Sequence, residues 1–170
     1  TGIGLIGFSG APWTLASYAM EGTSWKTGAV IKGWLYEQPQ ALHRLLVLLA
    51  DTVIVYLRAQ ADAGAQVLQL FDTWGGVCPT PYYRDFVHAY HVRIVEALKA
   101  SHPQVPVILF VKHSRGLLPT IASSGADCVS IDDLTPLAEA RALVGPDVAL
   151  QGNLDSTALL VQDVASIQPL

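Results

Sequence analysis

Five continuous apolar, β-branched runs, each followed by a segment that can form a helix, constrain this chain more than any other feature. The runs cover residues 3–8, 67–71, 107–111, 128–131 and 148–150. Unbroken apolar runs, as opposed to alternating ones, suit strands covered on both faces, as in parallel sheets flanked by helices. The intervening helices are equally readable. Residues 40–63 follow Pro39 and carry Leu42, Leu45, Leu46, Leu49, Val53 and Leu57 at helical spacing. Pro81 opens another helix at the position proline tolerates best, running through Phe86, Tyr90, Ile94 and Leu98 to the breaker Pro103. Gly64, Gly125 and Gly145 stand where helices should stop.

Spacing separates the architectures that such an alternation allows. The last three strand starts, 107, 128 and 148, are 21 and 20 residues apart. That is close to the shortest path for a strand, a loop, a helix and a return loop. No Ser/Gly-rich linker divides the chain, so residues 1–170 are expected to form one continuous α/β unit. A partial (β/α)8 barrel of about five consecutive βα units is the leading architecture, with a doubly wound open sheet second. No G-x-G-x-x-G follows the first strand, which weakens the dinucleotide-binding version of the second.

Composition narrows the function classes. Hydrophobic residues make up 51% and charged residues 14%, against about 45–50% and ~25% in ordinary domains, so a large core must be buried. Apolar stretches are broken by Gly, Pro or charge before ~18 residues, and no bilayer-spanning helix is expected. No cleavable signal pattern is visible. A net charge of −4 offers no basic face for nucleic acid. Cys78 and Cys128 are isolated, without the spacing of a zinc site, and are expected to be reduced and at least half-buried.

Polar and glycine residues collect after the strands: Ser9-Gly10-Ala11-Pro12, Asp72-Thr73-Trp74-Gly75-Gly76, Lys112-His113-Ser114-Arg115-Gly116, Asp132-Asp133 and Gln151-Gly152-Asn153-Leu154-Asp155. Turn chemistry alone explains part of this. In barrel enzymes, however, the active site also lies at the C-terminal ends of the strands.

Two of these segments sit in longer runs, G-F-S-G-A-P-W-T-L at 7–15 and F-D-T-W-G-G at 71–76. Val105-Pro106-Val107-Ile108-Leu109-Phe110, Lys112, Gly125-Ala126-Asp127 and Leu150-Gln151-Gly152-Asn153-Leu154-Asp155 follow in order. The ordered set resembles the uroporphyrinogen decarboxylase family over nearly the whole chain, about half of a family member. The resemblance implies a cofactor-free, single-domain, usually dimeric barrel without a metal. Such enzymes remove carbon dioxide from the four acetates of uroporphyrinogen III in haem and chlorophyll biosynthesis. It further implies a small tetrapyrrole substrate, no nucleic-acid or membrane partner, and a cytoplasmic location, organellar if a transit peptide precedes it. The family's anchoring arginines and aspartate match segments upstream of residue 1, and a further family histidine lies beyond residue 170. The chain is therefore expected to be an internal fragment that is inactive alone.

Two substrate-binding positions carry over by resemblance. Tyr18, five residues past Trp13, matches a family tyrosine whose hydroxyl reaches the reacting acetate. Thr73 matches a family Ser/Thr that hydrogen-bonds a substrate carboxylate. An unperturbed tyrosine titrates near ~10, so both are read as positioning donors and not as acids. The plainer alternatives are a packing tyrosine with a wet hydroxyl and a threonine bonded to its own turn.

Other residues carry less. His113, with Lys112 and Arg115, reads as a solvated loop cluster. Asp132 and Asp133 are adjacent, so their side chains should face opposite ways. Asp133 also replaces the tryptophan that the family usually has there. His43, His88, His91 and His102 are read as surface residues, and Trp13, Trp25, Trp34 and Trp74 as packing. Two rival readings remain. A corrinoid-linked methyltransferase of the same barrel would need His-x-Cys near the third strand's end, where Phe110-Val111-Lys112 stands. A non-catalytic half-barrel binding or assembly module is the other.

Overall fold

The computed structural model describes residues 3–22 and 28–160. All five expected strands form: β1 (Ile6–Gly10), β2 (Val67–Asp72), β3 (Val107–Val111), β4 (Cys128–Ser130) and β5 (Ala149–Gln151). Every neighbouring pair is parallel and the order across the sheet is β1-β2-β3-β4-β5. A doubly wound sheet reverses its strand order at a switch point. Strict sequence order instead belongs to consecutive units of a (β/α)8 barrel. The first strand starts later than the apolar run suggests, because Ile3 to Leu5 continue the run without finding a ladder partner for each residue.

Between β1 and β2 lie α1 (Pro12–Glu21), α2 (Ala29–Glu37) and α3 (Pro39–Asp62). Proline at the first helical turn opens both α1 and α3, where its missing N–H is an orphan anyway. The chain then forms α4 (Thr80–Tyr83), a π-helical turn (Arg84–His88) and α5 (Ala89–Ser101) as one rod between β2 and β3. The helices α6 (Leu118–Ala122) and α7 (Leu137–Val144) follow β3 and β4. Gly64, Gly125 and Gly145 all adopt positive φ, as their positions at helix ends require.

Strand parity decides which residues meet the helices. Side chains two apart share a face, and the register aligns Leu68 with Val107, Leu70 with Leu109, and Asp72 with Val111. These six are wholly buried under the helical layer. The alternate set, including Phe8, Phe71 and Phe110, lines the other face, where their rings meet edge to face at 6.0 and 5.8 Å. No described helix covers that face, and Ile6 and Phe8 on β1 are exposed.

The helix α3 supplies most of the first crossover's core. Leu42, Leu46, Ala50, Val53 and Leu57 are buried against α1, α5 and β1. Each fully buried leucine contributes about 1.5–3 kcal/mol. The 24-residue α3 contains an 18-residue stretch of mean hydropathy 1.5, and is long and apolar enough to cross a bilayer by length and composition only, as the core helix of a globular domain also can be. The sequence expectation that no segment reaches that threshold is thus corrected. Arg44, Asp51 and Arg58 interrupt it too sparsely, because charge on one helix face does not shorten the apolar run along the other.

Candidate functional site at the carboxyl ends of the strands

The ends of β1 and β2 are joined by a buried polar network. Asp72, the last residue of β2, is fully buried and its parity aims the carboxylate at the helical layer. Thr14 Oγ1, at the start of α1, donates to Asp72 Oδ1 at 2.6 Å. His91 Nε2, on α5, donates to Asp72 Oδ2 at 2.7 Å. Thr14 Oγ1 in turn accepts the Trp74 N–H at 3.0 Å. Two backbone bonds bind the same corner: Ala11 N–H to the Phe71 carbonyl and Lys112 N–H to the Asp72 carbonyl. A buried carboxylate without such donors would be costly, whereas charge-assisted bonds of this length are the strong class.

Glycine lets the loop close over this carboxylate. A Cβ on Gly75 would lie 2.5 Å from Asp72 Oδ2, and one on Gly76 would collide with the Lys112 carbonyl oxygen. The paired glycines of F-D-T-W-G-G are therefore required by close approach. The neighbouring Cys78 thiol is buried, and burial followed by the Asp72 charge pushes its pKa up to about 12, with Lys32 opposing. Burial, then Asp72 and Cys78, also raise the Tyr83 hydroxyl far above its ordinary value. Neither group offers an anionic nucleophile, and this corner is a scaffold more than a reactive centre.

Of the two residues singled out by sequence, Thr73 lies at this corner and Tyr18 lies farther along α1. Thr73 directly follows Asp72 and directly precedes Trp74, and it is half-buried. Among the described residues nothing bonds its hydroxyl, so the local turn bond weighed as the plainer alternative does not form. Tyr18 lies one helical turn beyond Thr14, which places both on one face of α1. Tyr18 is half exposed, and its hydroxyl has no partner among the described residues.

The ends of β3 and β4 are built differently. Lys112, His113 and Arg115 are exposed, and Arg115 forms a two-bond pair with Glu139 at 2.7 and 2.8 Å in solvent. The reading of this cluster as a solvated loop holds. His113 takes a left-handed φ of 58°, and its N–H is captured by Asp132 Oδ2 at 2.6 Å. Asp132 is buried while Asp133 is exposed, as their opposite orientation requires. Asn153, after β5, donates from Nδ2 to the Asp132 carbonyl at 3.0 Å. A cavity of about 300 Å³ opens beside Asp133, Leu134 and Asn153. Exposed Asp133 thus borders open space.

Two histidine expectations are corrected. His91 is wholly buried on Asp72, and His88 is buried with Nε2 3.3 Å from Ser123 Oγ. Residue type was the wrong guide because His91 lies in the stripe Val87, His91, Ile94, Leu98, all buried, spaced by four, three and four residues. That spacing was readable. Burial, then His91 and Arg84, lower the His88 pKa to about 4. His43 is half-buried, stacking on Phe86 and bonded through Nδ1 to the Tyr90 hydroxyl at 2.7 Å. His102 bonds Asp62 at 3.0 Å. Trp13 is buried, and Trp34 and Trp74 pack against the core. Trp25 lies outside the described residues. Cys78 and Cys128 are free thiols, buried and half-buried. Among the described residues no three His, Cys, Asp or Glu side chains converge as a metal site.

Residues 1–169 match the family Uroporphyrinogen decarboxylase (URO-D). Curated relatives named uroporphyrinogen decarboxylase include one from Chromohalobacter salexigens, 55% identical over 163 residues, which cover 95% of this chain and 46% of the relative. One from Gloeobacter violaceus is 49% identical over 156 residues, covering 92% of this chain and 45% of the relative. Another, from Hydrogenovibrio crunogenus, is 51% identical over 157 residues, covering 91% and 44%. The chain spans about half the length of the curated relatives it matches.

Proposed function

This chain belongs to the uroporphyrinogen decarboxylase family, and from that premise we propose that the protein carrying it decarboxylates the four acetate side chains of uroporphyrinogen III to give coproporphyrinogen III. The chemistry demands three things. A pyrrole carbon must be protonated, the developing cation must be balanced, and several carboxylates must be held in place. Once the ring carbon is protonated, the electrons of the breaking carbon–carbon bond flow into the pyrrole-derived cation as carbon dioxide leaves. Hydroxyl donors aimed at carboxylates fix the orientation of the acetate to be lost.

The observation that supports this reading best is the Thr73 hydroxyl, unengaged among the described residues and seated at the carboxyl end of β2. We assign Thr73 to hydrogen-bonding a substrate carboxylate and Tyr18 to orienting the acetate. Both act in positioning, as hydrogen-bond donors to substrate carboxylates. A homodimer in the cytoplasm completes the proposal, testable by sedimentation and cell fractionation.

The test is anaerobic incubation of the full-length protein with uroporphyrinogen III, followed by chromatography of the oxidised porphyrins. Products with seven down to four carboxylates are expected, and their absence ends the decarboxylase reading. Thr73→Val should raise KM about three- to tenfold, the effect of one lost bond of ~1 kcal/mol or slightly more, while leaving the melting temperature within a degree or so. Unchanged kinetics in that variant would return Thr73 to a structural part.

A further inference from the structure

The residues flanking Thr73 are held more firmly than a surface turn needs. Asp72, just before it, is fixed by two short side-chain bonds from separate helices, Thr14 on α1 and His91 on α5. Trp74, just after it, gives its N–H to the same Thr14 oxygen. Thr14 therefore clamps both neighbours of Thr73 with a single hydroxyl, donating to one and accepting from the other. The π-helical turn Arg84–His88 lies immediately before α5. Such a bulge inserts one residue and rotates the following helix, and bulges recur at functional positions. Here α5, which follows the bulge directly, carries His91 in the buried layer against Asp72.

We infer that the Thr14–Asp72–His91 network is a positioning device that sets where the Thr73 hydroxyl meets a substrate carboxylate and couples that hydroxyl to α1, the helix bearing Tyr18. The inference rests on the assignment of Thr73 proposed above. None of the three residues touches substrate; each acts through the backbone of residues 72–74. A hydroxyl on an unclamped turn samples many orientations, and misplacement by about 1 Å costs up to ~100-fold in rate or binding. Fixing the turn beforehand removes that ordering cost at the moment of binding.

The experiment is a double-mutant cycle in the full-length protein, with uroporphyrinogen III as substrate. Thr14→Val should raise KM on the order of tenfold, with a smaller change in kcat. Thr14→Ser, which keeps the bridging hydroxyl, should restore KM to within about twofold. In a Thr73→Val background the Thr14→Val change should add little, because the group being positioned is already gone. Hydrogen exchange of the Trp74 amide should accelerate in Thr14→Val and recover in Thr14→Ser. If Thr14→Val does not fold, His91→Gln at the far end of the network enters the same cycle.

Independent, multiplicative effects of Thr14→Val and Thr73→Val on KM, or a lowered melting temperature with KM unchanged, would overturn the inference. The two failures are separable. A wild-type protein that makes no decarboxylated product sinks the functional reading, whereas an active wild type with multiplicative variants sinks only the positioning role.

Discussion

Two neighbouring strand ends in this protein carry acidic, basic and imidazole side chains, yet one is dry and the other wet. At the end of β2, Asp72 and His91 are wholly buried and bonded to each other. After β3, Lys112, His113 and Arg115 stand in solvent, and Arg115 meets Glu139 there. The difference follows from parity and cover. Asp72 continues the row Leu68, Leu70 that faces the helices, and α1 and α5 close over it. Past Val111 the chain leaves the sheet and turns left-handed at His113, so Lys112, His113 and Arg115 stay in solvent while the small Ser114 between them is buried. Residue type is thus a poor guide to role at a strand end. The row a residue belongs to, and what packs on that row, decide whether its charge acts as scaffold or remains hydrated.

The largest expected effect tests the dry side. Asp72→Ala leaves the Thr14 hydroxyl and His91 imidazole buried without their acceptor, and should cost about 3–5 kcal/mol of unfolding free energy. Denaturant titration of the full-length protein measures this. A loss below about 1 kcal/mol would erase the contrast between the two ends.

A middle-sized effect comes from pH. His88 is held neutral with its folded pKa lowered to about 4, against about 6.5 in an unfolded chain. Between those values the unfolded chain binds the extra proton, so acid favours unfolding. Stability from this site is complete above pH ~6.5 and is lost as pH falls through ~4, up to about 2–3 kcal/mol. His88→Gln should flatten that part of the stability–pH curve. An identical acid slope in wild type and variant would assign the sensitivity to other groups.

The smallest effect belongs to the wet side. Arg115→Ala removes a solvent-exposed ion pair, and such pairs contribute little. No measurable shift in melting temperature is expected at physiological salt. A clear destabilisation would mean that the β3 end is more tightly coupled to the fold than its exposure indicates.

Much of the architecture could be read from the chain. Unbroken apolar runs gave five parallel strands, Pro39 and Pro81 marked helix starts, and Gly64, Gly125 and Gly145 marked helix ends. The site was read in halves. Thr73 was singled out as a candidate through its motif, and Asp72 stood beside it without a role. His91 was misplaced because histidine is commonly a surface residue, although its spacing from Val87, Ile94 and Leu98 put it on the buried stripe. Thr14 was hidden inside the run that named Tyr18, since a threonine near a helix start usually serves its own helix. The bounds of α3 were read to within one residue at each end, but its apolar character was underestimated, because its charges were counted along the sequence and not around the helix.

The order of strands and helices followed from local pattern alone: apolar runs need partners on both faces, and proline and glycine set where elements begin and end. The family and the two candidate hydroxyls came from motif resemblance. The bond from Thr14 to Asp72 spans 58 residues and that from His91 spans 19. No local preference encodes such a meeting. It arises only when parallel pairing brings the ends of β1 and β2 side by side and two helices pack on the row that ends in Asp72, because a buried carboxylate is stable only where donors from separate elements converge.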